Sequence, residues 1–412
     1  MAQLNITLNQ EEILQLLSND RNEVFRKLLE SSLNSVLKAE SQEQLKAHPY
    51  ERTLDRTDSR NGSRERKLQT RIGTITLNVP RHRNQPFKTM LFDNYSRSEA
   101  ALISTMSEMV VHGVSTRKVS QIVETLCGTS VSKSAVSEVC KDLSREVEDF
   151  RNRPLTGPYP FLTIDATYFK VRENHRVISK ALMIAYGTNA QGHREVLGFE
   201  TYPCESADTW TQFLAGLKKR GLTGLLMITS DAHEGILHGI SKIFPAVPWQ
   251  HCQVHFNRNI TDKAPKAYQA GLRSELFEMF SSKTIEEARK KRDEIINDYK
   301  EIAEKAMECL DEGFENAMTA MIMPGRIRQA CRTTNQLERL NRELKRRSKV
   351  IGIFPNVDSI IRLMGSLLIE HSNVQQSRTA MFSKETYKNL IQSDIPENLV
   401  RIAEEQKALL AA

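Results

Sequence analysis

Up to about Ala47, apolar residues recur every three or four positions: Ile13, Leu16, Leu17, Phe25, Leu28, Leu29, Leu33, Val36 and Leu37 stand among polar neighbours. That spacing predicts amphipathic helices, each needing a partner surface for its apolar stripe. From Glu51 to Pro86 the period changes. Lys67 to Arg71 and Thr74 to Val79 alternate around Gly73 in the manner of a small β-hairpin set in Arg-rich loops. Helical spacing returns between Ser98 and Leu143. There Ser115 to Leu126, then Gly128, then a second helix from about Ser132 have helix-turn-helix proportions, with Val119, Ile122, Val123 and Leu126 packing inward.

Beyond Pro160 the pattern is mixed. Phe161 to Val171, Val177 to Tyr186 and Glu195 to Tyr202 read as strands, followed by a helix at Ala207 to Arg220 with Trp210, Phe213, Leu214 and Leu217 on one face. An apolar strand at Leu225 to Thr229 runs into Asp231, and a short helix near Ile236 to Ile243 leads to a fifth strand near Val247 to Cys252. Three strands, helix, strand, helix, strand is the order of an α/β core of ribonuclease H-like fold. From about Asn259 to Met323 the chain is helical and charged, which predicts an all-helical insertion. A basic helix at Thr333 to Arg347 and further amphipathic helices from about Val357 follow.

These changes divide the chain into N-terminal helices (1–50), an Arg-rich hairpin and linker (51–97) and a helix-turn-helix-like region (98–150). The first part of the core (151–258), the helical insertion (259–330), a basic helix (331–350) and C-terminal helices (351–412) complete it. With 412 residues the chain exceeds what one hydrophobic core serves. A hydrophobic share of 39% and a charged share of 26% exclude a largely disordered chain.

The formal charge of +7 changes the picture only through its distribution. Arg52, Arg56, Arg60, Arg64, Arg66, Lys67, Arg71, Arg81 and Arg83 crowd one stretch, and Arg339, Arg342, Lys345, Arg346, Arg347 and Lys349 another. Clustered cations of this kind suit a polyanion, because they release its counterions. In the second helix of the helix-turn-helix, Lys133, Ser134, Ser137, Glu138 and Lys141 are short polar and basic side chains suited to phosphates and base edges. A solvated linker and a plain helical hairpin are the bland alternatives for these two regions. Met1 to Gln10 lacks a signal-peptide pattern and no apolar run approaches the roughly 20 residues of a membrane span, so a cytoplasmic protein is expected. The six cysteines form no CxxC pair and are expected to be free thiols.

Two acidic residues interrupt apolar strands: Asp165 follows Phe161-Leu162-Thr163-Ile164, and Asp231 ends Met227-Ile228-Thr229-Ser230. An ionised Asp costs several kcal/mol to bury unless it is paired or bound to metal, so a metal site is indicated; a strand-end Asp capping the next helix is the alternative for Asp231. Glu338 reads equally as the return half of a capping box in Asn335-Gln336-Leu337-Glu338 or as a carboxylate beside Asn341, Arg342 and Lys345 on a polar helix face. Three carboxylates without a His or Cys cage favour Mg²⁺ or Mn²⁺. Two such ions roughly 3.5 to 4 Å apart serve phosphodiester cleavage.

The runs Asp165-Ala166-Thr167-Tyr168-Phe169-Lys170-Val171-Arg172, Ser230-Asp231-Ala232-His233-Glu234-Gly235, Trp249-Gln250-His251-Cys252-Gln253-Val254-His255-Phe256 and Thr334-Asn335-Gln336-Leu337-Glu338-Arg339-Leu340-Asn341-Arg342 resemble signatures of Mutator-type bacterial insertion-sequence transposases. Gly113 and Ser115-Thr116-Arg117-Lys118-Val119 extend the resemblance. It implies an acidic triad of Asp165, Asp231 and Glu338 holding two Mg²⁺ or Mn²⁺ ions. It also implies action on the terminal inverted repeats of a mobile element and on target DNA, by a homodimer or larger assembly. Arg64, Arg66, Arg71, Lys133, Ser134, Ser137, Arg339, Arg342 and Arg346 are the expected DNA contacts. Cys252 and His255 match a family motif, and for them a packing joint is favoured over zinc, which needs about four ligands. His233 is a local hydrogen-bond partner or a phosphate contact. A helix-turn-helix regulator without catalysis and a nuclease that hydrolyses without joining are the competing functions.

Overall fold

The computed structural model describes residues 21–51, 53, 56–70, 73–89, 106–107, 109–111, 116–127, 133–349 and 351–411. These fall into two compact units, 1–142 and 143–412, with the division inside one helix. Among the expected DNA contacts, Arg71 lies outside the described residues, as do the side chains of Lys133, Ser134 and Ser137.

In the first unit, helix α1 (Arg21–Leu45) faces an antiparallel hairpin of β1 (Arg60–Thr70) and β2 (Gly73–His82). Leu37 of α1 and Leu68, Ile75, Leu77 and Val79 of the hairpin form a small core. The free edge of β2 would expose unpaired backbone groups. Glu30 and Asn34, one helical turn apart, cover it: Glu30 accepts from the Thr76 N–H, Asn34 accepts from the Asn78 N–H, and the Asn34 amide donates to the Thr76 carbonyl. The hairpin is longer than the alternation predicts, so Arg64 and Arg66 stand on strand β1 rather than in loops. Each lies directly across from an apolar residue of β2, Arg64 from Val79 and Arg66 from Leu77. Helices α2 (Thr116–Cys127) and α3 (Lys133–Asn152) follow.

The second unit is built on five strands, β3 (Phe161–Glu173), β4 (Arg176–Thr188), β5 (Arg194–Tyr202), β6 (Met227–Ser230) and β7 (Trp249–His251), in the order β5-β4-β3-β6-β7. The pairs of β3 with β4 and β4 with β5 are antiparallel, and those of β3 with β6 and β6 with β7 are parallel. Period-2 alternation in β3 sends Leu162 and Ile164 to one face and Phe161, Thr163 and Asp165 to the other. The first face is covered by α4 (Ala207–Lys219) and α5 (Glu234–Ile243), whose Trp210, Phe213, Leu214, Ile236 and Ile240 bury against Leu162, Ile164, Met183, Leu197 and Ile228. Trp210 is thus a core residue.

Helices α6 (Gln253–Asp262), α7 (Gln269–Phe280), α8 (Ile285–Tyr299) and α9 (Glu304–Met318) form the helical insertion, with a core of its own around Phe256, Leu272, Leu276, Leu310 and Phe314. It begins directly after β7, six residues earlier than the periodicity suggested, because α6 starts at Gln253 rather than at Asn259. A short α10 (Gly325–Cys331) returns the chain to the sheet, and α11 (Asn335–Ser348) packs against β3. Helices α12 (Val357–Gln376), α13 (Lys384–Gln392) and α14 (Ile395–Ala411) complete the unit. Among the described residues no helix is long and apolar enough to cross a membrane.

Close approach of α5 to the start of α4 requires a glycine. A Cβ on Gly235 would meet the Ser206 carbonyl carbon at 2.7 Å, whereas one on Gly216, on the solvent side of α4, meets nothing within 4 Å. Overpacking typically costs about 1–3 kcal/mol and a solvent-facing Gly→Ala in a helix returns up to about 1 kcal/mol. Gly235→Ala is therefore expected to lower Tm by several degrees and Gly216→Ala to raise it slightly, in paired thermal scans; equal shifts would refute the close-packing account.

Candidate active site

Strands β3 and β6 carry the two aspartates to one place. Phe161 pairs with Met227, Leu162 with Ile228 and Thr163 with Thr229. Two residues past the last of these pairs, Asp165 within β3 and Asp231 just beyond the end of β6 come close enough for the charge of Asp231 to act on Asp165. Burial first, and Asp231 second, push the Asp165 carboxyl up to about 7. Its donors are neutral: the Ala166 N–H at 2.9 Å and the Asn341 side-chain amide at 2.7 Å. Among the described residues no Lys or Arg forms an ion pair with Asp165 or Asp231. His255 is the cation that acts on Asp165 from nearby, opposing part of this rise, and two carboxylates with no Lys or Arg partner suit an added cation bound through oxygen.

The cap that Asp231 could have supplied is made by its neighbour. His233 is the N-cap of α5, and its Nδ1 accepts the Gly235 N–H at 3.1 Å. Nδ1 is therefore unprotonated, and the ring's remaining polar atom is Nε2. Asp231 accepts only a long 3.4 Å bond from the His233 N–H. A further carboxylate, Glu205, sits close by: burial pushes its carboxyl up, His233 opposes this, and Asp231 adds to it. Nothing in the spacing of the sequence singles Glu205 out.

Glu338 arrives on the first turn of α11. The capping box written in Asn335 to Glu338 is absent, since Thr334 is the cap residue and makes no side-chain cap bond. Its hydroxyl instead donates to the Cys252 sulfur at 3.2 Å and lies 3.5 Å from Glu338 Oε1. The Thr334 N–H also reaches the Cys252 sulfur, at 3.3 Å. Glu338 therefore makes no capping-box bond and faces His255 Nε2 at 3.4 Å. One turn on, Asn341 spans the gap to Asp165. It lies on the stripe with Leu337, Leu340 and Leu344 rather than on the basic face, and only 7% of it is exposed. Its Oδ1 has no hydrogen-bond partner.

Cys252 and His255 form the joint between these parts. The Cys252 N–H donates to the Ser230 carbonyl at 2.8 Å and the Gln253 N–H to the Arg332 carbonyl at 3.1 Å, so the start of the insertion is tied both to β6 and to the segment entering α11. Burial pushes the Cys252 thiol up, but the hydrogen bonds of His255 and Thr334 outweigh it and the thiol ends below its ordinary value. The Cys252 sulfur, against burial and ahead of Glu338 and Asp165, raises His255 to about 9. The ligand atoms of Cys252, His255 and Glu338 all lie within 4.8 Å of one another. Of the expected DNA contacts on α11, Arg339 and Arg342 are exposed, while Arg346 and Arg347 both pair with Glu343, whose carboxyl they hold down at about 2.

The Asp165 shift has a consequence for stability. A carboxyl raised from about 4 to about 7 on folding leaves the folded state unpenalised below about pH 4 and progressively penalised up to pH 7, in full above it. Asp165→Asn removes that penalty, and Asn341 can meet the new amide by turning its unpartnered Oδ1 toward it. In chelator at pH 8 this variant is expected to melt a few degrees above the parent, the difference shrinking by pH 5. A lower Tm at pH 8 would contradict the account.

Residues 1–377 match the family described as "Transposase, Mutator family". The chain is 42% identical over 374 residues to the transposase for insertion sequence element IS256 in transposon Tn4001 of Staphylococcus aureus, covering 90% of this chain and 96% of that protein. It is 38% identical to the transposase for insertion sequence element ISRM5 of Rhizobium meliloti, covering 87% of this chain and 90% of the relative. To the transposase for insertion sequence element IS1081 of Mycobacterium tuberculosis it is 37% identical, over 84% of each. A regulator without catalysis is not favoured by any of these. Family and relatives coincide, and the chain is a DNA transposase belonging to the Mutator family.

Proposed function

We propose that strand cleavage and strand transfer are carried by Asp165, Asp231 and Glu338, which hold divalent metal ions in a ribonuclease H-like core. The observation that carries this is the register that sets Asp165 beside Asp231, with Asn341 linking Asp165 to the helix of Glu338. The order β5-β4-β3-β6-β7, with helices α4 and α5 on one face, supports the fold assignment. The oxygen donors and the unpartnered Asn341 Oδ1 beside them suit Mg²⁺ or Mn²⁺. When bound, such ions activate a water or a 3′-hydroxyl and stabilise the leaving oxygen of the phosphodiester.

The chain's own residues orient the carboxylates. The Ala166 N–H and the Asn341 amide fix the two Asp165 oxygens, leaving their other lone pairs for coordination. His233 relieves Asp231 of capping. His255, 3.4 Å from Glu338 and close enough to Asp165 for their charges to interact, links Glu338 to the aspartates. DNA is bound by the basic regions: Arg64 and Arg66 on the hairpin, Arg71, the second helix with Lys133, Ser134 and Ser137, and the exposed Arg339 and Arg342 of α11. The substrates are the terminal inverted repeats and target DNA, held by a dimer or larger assembly.

Asp165→Asn, Asp231→Asn and Glu338→Gln are each expected to reduce cleavage and joining of element ends below detection while end binding stays within a few-fold, because none removes a cation that meets phosphate. Gel assays of cleavage, joining and binding on one substrate separate the two effects. Near-normal strand transfer by any of these folded variants would remove that residue from the triad.

Cys252 and His255 act in this reading as a joint, not as a zinc site, since a closed tetrahedral site needs about four ligands and, among the described residues, three donors converge here. Elemental analysis of protein purified without added metal is expected to find well under one zinc per chain. Stoichiometric zinc, lost together with folding in Cys252→Ser, would make this pair part of a true metal site.

A further inference from the structure

Beside this joint lies a cavity of about 470 Å³, between α6 and α7 of the insertion and the segment that enters α11. Its charge is of one sign: Arg258, Arg273 and Arg332 line it and no carboxylate does. The Arg332 guanidinium is anchored to the Phe280 carbonyl at 3.3 Å. Those of Arg258 and Arg273 have no hydrogen-bond or ion-pair partner among the described residues. The wall formed by Thr333 and Asn335 is the start of α11, whose amide dipoles add positive potential on the same side.

The cavity also has an aromatic wall that the fold does not need. Leu272, Leu276, Met279 and Phe280 of α7 are buried in the insertion core, but Phe277, one turn after Arg273, lies on the opposite side and is 64% exposed. An exposed ring next to two unpaired guanidiniums suits a ligand that is at once flat, aromatic and anionic. Duplex DNA presents phosphates but keeps the faces of its bases stacked, so the ring can be used only by an unpaired base. The site opens beside Thr334, hence within one helical turn of Glu338.

We propose that this cavity takes one unpaired nucleotide of the DNA strand being processed, its base stacked on Phe277 and its phosphate held by Arg258 and Arg273. This rests on the reading that the neighbouring carboxylates act on DNA. The site would hold the strand displaced from the duplex next to the bond under attack and so fix which phosphate reaches the carboxylates. Phe277 and the arginines are positioning residues in this scheme, and none takes part in bond making.

The test uses the full chain and a single-stranded oligo-dT of about ten nucleotides carrying one 5-iodouracil, with a blunt duplex and an abasic strand of equal length as comparators. Irradiation is expected to crosslink the iodouracil to the tryptic peptide from Ser274 to Lys283, which contains Phe277. Phe277→Ala is expected to abolish that crosslink and weaken binding of oligo-dT about tenfold without weakening the abasic strand, whereas Phe277→Tyr retains both. Arg258→Gln and Arg273→Gln are expected to weaken oligo-dT and abasic strand alike. Because Phe277 is exposed, an unchanged Tm is expected to accompany the loss in Phe277→Ala. Crosslinks that fall only outside Ser274 to Lys283, or equal affinity of the parent protein for oligo-dT and the abasic strand, would overturn the proposal. The metal-dependent cleavage of element ends is read separately: a parent protein that cuts ends but crosslinks elsewhere sinks this site alone.

Discussion

The second unit depends on one electrostatic constraint, the closeness of Asp165, within β3, to Asp231, just past the end of the neighbouring parallel strand β6. Apolar strands carry these residues into a position where both burial and like charge oppose ionisation. The protein answers with neutral donors, the Ala166 N–H and the Asn341 amide, and not with Arg or Lys. Neutral donors orient a carboxylate without cancelling its charge, so the site keeps its appetite for a cation. A guanidinium in the place of Asn341 would cancel the charge on which the proposed metal site rests.

The same constraint explains the construction around Glu338. That residue is separated from β7 by the whole helical insertion, which has its own core and could not position the helix by itself. Two ties near the site take over this task. The Gln253 N–H holds the Arg332 carbonyl, joining the first residue of the insertion to the segment beyond its last helix, and the Thr229 hydroxyl holds the Cys331 carbonyl at 2.7 Å. Thr334, engaged by Cys252, cannot also cap α11, and the first-turn amides of that helix remain directed at the cavity lined by Arg258 and Arg273.

Much of this was legible in the chain because it is local. Alternation around Asp165, the apolar run into Asp231 and the helix between them each have a period that a window of ten residues contains. The hairpin was seen only in part, since Arg60 to Lys67 has no apolar residue to mark a period and its strand is defined by pairing with β2. The capping box at Asn335 failed for a long-range reason: Cys252, distant in sequence, claims the Thr334 hydroxyl and moves the start of the helix. Asn341 did leave a local trace. It stands four residues after Leu337, on the stripe that continues to Leu344, and a polar residue there needs a buried partner. Glu205 and the arginines of the cavity left none, because only the tertiary fold gathers them.

The edge of the sheet poses a last requirement. Strand β7 is short and terminal, and its outer side would leave the Trp249 N–H and carbonyl unpaired. Gln406 of α14 meets both, accepting from the N–H at 2.8 Å and donating to the carbonyl at 2.7 Å, while Thr319 donates to the same carbonyl at 3.0 Å. One side-chain amide has the spacing of a backbone amide and so continues the ladder by one rung. Gln406 lies beyond residue 377, where the family match stops. Residues outside the matched region therefore close the sheet on the side where the chain passes from β7 into Cys252. The edge that they seal is the same strand whose next residues set the joint, the helix of Glu338 and the mouth of the cavity.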